Sequence, residues 1–227
     1  MDDLFQDFMQ LVEQTKRLLL DLQTSGIASV PGIGLAQAET PKAPDKANIL
    51  ESLRKKASVC ESCRLCKGRN KVVFGEGSPD ASVVFVGEGP GREEDLQGRP
   101  FVGAAGTLLT KIIQAMKLQR EVVYIANVVK CRPPNNRPPE PDEAAACRHF
   151  LETQLLTIRP KVICALGKTA ASALLETEAP MNALRGRALE WKGIPLVVTY
   201  HPAYLLRNPP AKKLVWEDMQ LVLELLT

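Results

Sequence analysis

No apolar run in this chain approaches the roughly 20 residues that a membrane-spanning helix needs, which sets the helical membrane class aside. The opening residues, MDDLFQDFMQLVEQTKRLLLDLQ, start acidic and are interrupted by Glu13, Lys16, Arg17 and Asp21. They lack the basic start and unbroken apolar core of a secretory signal. Charge of one sign is scarce too: 29 Lys and Arg against 26 Asp and Glu leave a formal +3, which neither demands nor excludes a nucleic-acid partner. Low-complexity segments and internal repeats are absent, and a hydrophobic content of 45% excludes disorder throughout. The expectation is a cytoplasmic protein without membrane association, built as one sizeable domain plus an appendage. Its six cysteines would stay reduced there, so their clustering points to metal or redox chemistry before disulfides.

From Asp2 to Thr24 apolar residues recur at helical spacing (Leu4, Phe5, Phe8, Leu11, Val12, then Leu18 to Leu20), which predicts one amphipathic helix over 1–24. Gly26, Pro31, Gly32, Gly34, Pro41 and Pro44 follow without apolar period, and 25–48 reads as a flexible linker. The tethered helix is free to dock on its own domain, to pair with a copy of itself or to bind a protein partner. The remainder, 49–227, alternates. Strands are predicted at Ser82–Val86, Val122–Ile125, Lys161–Leu166 and Ile194–Thr199, and helices at Ile49–Ala57, Gly106–Met116, Pro141–Ile158, Lys168–Leu175 and Lys212–Leu226. Such alternation predicts an α/β domain of three layers, with a central, mostly parallel sheet and helices on both faces.

Ligands of open parallel sheets sit beyond the carboxyl ends of the strands. Here those ends carry Gly87-Glu88-Gly89, Asn127, Gly167 and His201. Glycines without a Cβ, an amide and an imidazole along one edge describe a small pocket able to hydrogen-bond a flat polar ring. The Gly-rich run lacks the Lys-Ser/Thr ending of a phosphate loop. Among the cysteines, Cys60 and Cys63 form a C-x-x-C pair, and Cys131 and Cys147 lie far downstream, each beside an arginine. Two ligands from one loop and two from elsewhere suit tetrahedral zinc or an iron–sulfur cluster. Cys66 could replace one of the pair, and Cys164, inside an apolar run, reads as a core thiol.

The stretches GEGPGREEDLQGRPFVGAAG, YIANVVKCRPPNNRPPEPDE and HPAYLLRNP, with the four spaced cysteines, resemble the family 4 uracil-DNA glycosylases, the iron–sulfur type. The resemblance runs from about Val59 to Leu226. It implies a monomeric glycosylase core that flips uracil out of single- or double-stranded DNA and hydrolyses its N-glycosidic bond, leaving an abasic site for base excision repair. It also implies a structural [4Fe–4S] cluster held by Cys60, Cys63, Cys131 and Cys147. For the flipped base it implies Gly87, Glu88 and Gly89 through backbone groups, Phe101 as the stacking ring, Asn127 on the base edge and His201 at the uracil O2.

Each implied role has a physical reason. A flipped base loses its stacking, which an aromatic face restores. Asn127 offers an acceptor for N3–H and a donor for O4, the reverse of what cytosine requires. His201 can donate to the oxygen where charge collects as the bond breaks. In the family 1 enzymes an Asp that polarises water occupies the place of Gly89, so the carboxylates left nearby are Glu88, Glu93, Glu94 and Asp95. Glu88 and Glu93 are the first candidates to assist catalysis. After His201, Leu205 is expected to wedge into the gap left by the flipped base, with Arg207 at the phosphates. Some relatives trap uracil-DNA covalently through a histidine on a basic loop; here CRPPNNRPPEPDE holds none, which favours turnover. A non-catalytic metal module docked through the N-terminal helix is the rival from another class.

Overall fold

The structure, a computed structural model, describes residues 13–17, 20, 21 and 45–227. The chain divides into two compact units, Met1–Ala43 and Pro44–Thr227. In the first, residues 13–17, 20 and 21 are helical. The rest of the helix expected over 1–24, and the linker expected over 25–48 as far as residue 44, lie outside the described residues.

The second unit opens with α1 (Lys46–Ser58), whose N-cap Asp45 accepts from the Ala47 N–H. The cap starts this helix three residues before the first apolar position, so the helix takes in part of the expected linker. The sheet has six strands in the order β1-β3-β2-β4-β6-β5. Four run parallel through the middle: β2 (Val83–Gly87), β3 (Tyr124–Asn127), β4 (Val162–Leu166) and β6 (Ile194–Thr199). The edges are two short antiparallel strands that the apolar pattern did not announce, β1 (Glu76–Gly77) and β5 (Ala188–Trp191).

Successive side chains of a strand face opposite ways, and both faces here are covered. Val84 and Val86 of β2 and Ile163 and Ala165 of β4 pack with α1, with α4 (Pro141–Ile158) and with α5 (Lys168–Leu175). Val83, Phe85, Val162 and Cys164 point the other way, to α3 (Ala104–Ala115) and α8 (Lys212–Glu224). Three short helices complete the fold: α2 (Arg92–Gln97), α6 (Met181–Leu184) and α7 (Pro202–Arg207). Each fully buried Val, Leu or Phe of these layers contributes about 1.5–3 kcal/mol, so the strand ends are held on a rigid base. Among the described residues no helix is long and apolar enough to cross a membrane.

The proline-rich segment after Cys131 is tied down by charge. Glu143, buried in the first turn of α4, accepts two hydrogen bonds from Arg137, at 2.7 and 2.8 Å, and one from the Glu140 N–H at 2.8 Å. Arg64, next to Cys63, reaches the same carboxylate at 3.0 Å and Asp142 at 3.0 Å. The Arg137 hydrogen bonds hold the Glu143 carboxyl down at about 2. A carboxylate held below its unfolded value of about 4.3 stabilises the fold above that value and loses this contribution as pH falls toward 2. Glu143→Gln is therefore expected to melt several degrees below the parent at neutral pH, with the two curves converging near pH 2–3. Thermal melts across pH 2–7 check this, and a constant gap would contradict it.

Candidate active site and metal centre

Beyond the carboxyl ends of β2, β3, β4 and β6 lies a cavity of about 530 Å³. It is lined by Glu88, Gly89, Glu94, Phe101, Asn127, Gly167, Thr169, His201, Tyr204 and Arg207, with other residues between them. Gly87 and Asn127 are opposite each other in the parallel register of β2 and β3. A Cβ on Gly87 would stand 2.5 Å from Asn127 Oδ1 and 2.5 Å from Phe101 Cζ, so only glycine leaves room for the amide and the ring together.

Phe101 is held in a left-handed backbone conformation, φ 51°, that a side chain of its size seldom adopts. Packing imposes it. A Cβ on Gly106 would lie 1.9 Å from the Phe101 carbonyl oxygen, so α3 abuts the loop directly. From the other side Glu94 Oε1 accepts the Val102 and Gly103 N–H groups, both at 2.9 Å. The Phe101 ring lies 5.6 Å from the His201 ring, centroid to centroid, with the planes 31° apart.

Asn127 is 1% exposed, and its Oδ1 has no hydrogen-bond partner. A buried acceptor left unsatisfied costs about 1–3 kcal/mol, and one that borders a cavity is open to a donor that enters it. His201 caps the N-terminus of α7: its Nδ1 accepts the Ala203 N–H at 3.1 Å. That bond places the ring proton on Nε2. Burial, aided by the nearby Arg207 charge, lowers the His201 pKa to about 4, so at neutral pH the ring is an uncharged donor.

The carboxylates separate by position. Glu88 lines the cavity and takes a hydrogen bond from the Thr169 hydroxyl of α5. Glu93, the second carboxylate expected to assist, is exposed on α2 and outside the lining, because in this short helix it is Glu94 that turns inward, to the Phe101 loop. Asp95 is buried and accepts from the Asn70 N–H at 2.9 Å. The expectation for Leu205 is overturned. Leu205 is 1% exposed and packs in the core with Val215 and Met219, since Pro202 and Leu205 form the inward face of α7. Its neighbours Tyr204 and Leu206 are the exposed ones, at 39% and 49%. Tyr204 stacks on Tyr200 at 4.9 Å, and Arg185 lies over the Tyr200 ring at 5.5 Å. Arg207 is exposed at the mouth of the cavity.

A second cavity, bounded by α1, the segment after β3 and α4, is lined by Cys60, Cys63, Cys66, Cys131 and Cys147 together with Arg69 and Lys130. All six cysteines are free, and Cys164 is buried in β4, away from this group. Burial pushes the Cys147 thiol up to about 11 and raises Cys131 as well. Two N–H groups point at these sulfurs: the Lys130 backbone at Cys147 Sγ, 3.3 Å, and Arg69 at Cys131 Sγ, 3.4 Å. Among the described residues no three Cys, His, Asp or Glu side chains come close enough to hold a single ion. Five thiols round one cavity offer the soft donors that tetrahedral zinc or an iron–sulfur cluster takes. Cys66, which could replace one of the C-x-x-C pair, lines this cavity too. Lys130 gave no sequence signal at all.

The family model of the uracil DNA glycosylase superfamily matches residues 74–220. The chain is 48% identical, over 179 residues, to the type-4 uracil-DNA glycosylase of Thermotoga maritima, covering 77% of this chain and 93% of that protein. With the type-4 enzyme of Archaeoglobus fulgidus it shares 42% identity over 78% of this chain and 92% of that one. A type-5 uracil-DNA glycosylase of Thermus thermophilus is more distant, 31% identical over 50% of this chain and 68% of its own length.

Proposed function

The chain belongs to the uracil DNA glycosylase superfamily, among its type-4 members, and on that premise we propose that it releases uracil from DNA by hydrolysing the N-glycosidic bond. The observation that carries this reading is Asn127 Oδ1, a buried, unpartnered acceptor in a cavity whose other wall presents the neutral His201. A uracil ring stacked on Phe101 places N3–H at Asn127 Oδ1 and O4 at the same amide's Nδ2–H. Cytosine, with an unprotonated N3 and an amino group at C4, meets the wrong end of the amide at both positions. O2 accepts from His201 Nε2–H. As the bond to the sugar breaks, negative charge collects on the base and this hydrogen bond strengthens, so the donor favours the transition state over the ground state.

The sugar becomes cationic at the same moment. Glu88 is the carboxylate we assign to it, to oppose that charge or to orient the attacking water, since Glu94 is engaged by the Phe101 loop and Glu93 faces away. Water adds its oxygen to the sugar C1′, and one proton ends on the departing uracil. Arg207 stands where a phosphate would pass. In place of Leu205, the exposed Tyr204 and Leu206 of α7 are the side chains available to fill the space the base vacates.

The cysteine cavity suits a [4Fe–4S] cluster by its soft donor set and its two N–H···S contacts. Cys60, Cys63, Cys131 and Cys147 would hold it. When bound, such a group supplies a cross-link between the Cys60 loop, the segment after β3 and α4, and takes no part in the bond cleavage.

The test is base release from an oligonucleotide bearing one uracil, opposite guanine and single-stranded, with thymine and cytosine controls. Release confined to uracil supports the reading. Absence of release by protein with a full iron complement and measurable DNA binding would overturn it and shift attention to the non-catalytic alternative.

A further inference from the structure

We propose that Lys130 is a positioning residue: it fixes the base-reading Asn127 by tying the end of β3 to the cysteine cavity. The side chain is 2% exposed, among the largest fully buried in the protein. Its ammonium donates to the Asn127 carbonyl oxygen at 2.8 Å and to Gln154 Oε1 at 2.6 Å, and lies 5.9 Å from the centre of the Phe74 ring. Gln154, fully buried on α4, is fixed in turn by donating to the Phe74 carbonyl at 2.9 Å and to the Tyr124 hydroxyl at 3.0 Å. The backbone of the same lysine donates to Cys147 Sγ at 3.3 Å and accepts the Val73 N–H at 2.8 Å.

One residue therefore touches both sites. A buried cation is costly unless it is paired or fully hydrogen-bonded. The described residues offer this one no carboxylate, only neutral oxygens, an aromatic face and the thiol-lined cavity that it borders. A methionine of similar length would fill the same space with no such cost, so packing alone does not account for a lysine here. What the ammonium adds is direction. It holds the peptide group that leaves Asn127, and the orientation of that peptide, with the pairing of β3 on β2, sets where Oδ1 points. Gln154 makes the hold rigid because its own amide has no freedom to turn. The interaction is an anchor behind Asn127, on the side away from the substrate.

The inference rests on the uracil-release reading, because that activity reports it. A double-mutant cycle separates positioning from general support of the fold. Lys130→Met is expected to lower the single-turnover rate roughly tenfold or more, within the coupling range for residues in one hydrogen-bonded network. In an Asn127→Ala background the same substitution should change the rate less than about threefold, because there is no amide left to misplace. In a His201→Ala background the full factor should reappear. A lysine with a merely structural role would cost the same factor in all three backgrounds, and that result would overturn the proposal, as would a Lys130→Met protein as fast as the parent. If Lys130→Met does not fold, Gln154→Leu, which removes the other partner of the ammonium, should show the same pattern with a smaller factor, and equal losses in all backgrounds would again overturn it. A parent protein that releases no uracil would count against the function itself and leaves the cycle without a signal to read.

Discussion

His201→Ala is expected to slow uracil release by about 10²–10³-fold, the usual loss when a donor aimed at developing negative charge is removed. The geometry makes the claim specific. Because Nδ1 already accepts the Ala203 N–H, the ring has one donor to offer, Nε2–H, and it is uncharged. The contribution then depends on hydrogen bonding rather than on ionic attraction, so His201→Asn, whose amide can also donate, should recover part of the rate. A pH profile tests the same point. With the folded pKa near 4, the rate should stay level as pH falls through 6.5, where an ordinary histidine would acquire charge, and this group should begin to alter it only toward pH 4–5.

Stability should move in a linked way. Between about pH 6.5 and 4 the unfolded chain binds a proton at this position that the folded protein resists. The fold is thus fully favoured by the neutral ring above pH 6.5 and loses that contribution, on the order of 3 kcal/mol, as pH falls toward 4. His201→Ala removes this part of the pH dependence, so its melting temperature should decline less than the parent's between pH 7 and 4. Parallel declines in the two proteins would show that the ring titrates near its ordinary value.

Gly87→Ala should be nearly as damaging to activity, by about 10²-fold, although it removes no functional group. The added methyl would meet Asn127 Oδ1 and the Phe101 ring at 2.5 Å, and neither has an easy retreat. Phe101 is stopped by α3, where Gly106 already touches its backbone, and Asn127 is fixed by the β2–β3 ladder and by Lys130. Overpacking of this kind costs about 1–3 kcal/mol, so the protein should remain folded while the pocket no longer accepts the base. Single-turnover rates and thermal melts on one preparation distinguish the cases: a normal rate would mean that ring and amide relax together, and a collapse in stability would mean that β2 itself is lost.

The framework was legible because its signals are apolar and continuous. Val83 to Val86 and Val162 to Leu166 are buried on both faces and could only be central strands, and α4 and α5 begin and end where the sequence places them. The two edge strands were not legible, since a two-residue strand has no period and β5 buries only Trp191 fully. The α2 segment, REEDLQ, looks like an acidic turn because the residue it buries is Asp95, held by hydrogen bonds rather than by apolar contact. The strand ends led to the cavity. The motif after His201 misled, because it names a loop without saying which face of a six-residue helix points inward; Pro202 and Leu205, three apart, were the clue. A single lysine between Val129 and Cys131 resembles any surface charge, and only the packed structure shows where Lys130 ends.

The order of the strands separates two kinds of change available to this enzyme. From β2 the chain first winds one way, to β3, and then crosses back to β4 and β6 on the other side. Asn127 belongs to the first winding and His201 to the second. On the roles proposed for Asn127 and His201, identity of the base and ease of its departure fall to opposite banks of one crevice, carried by segments that share no side-chain hydrogen bond among those described. Evolution, or a designer, could then revise which base is admitted by altering the β3 bank while the β6 bank keeps its proposed donor, and the reverse exchange is equally open.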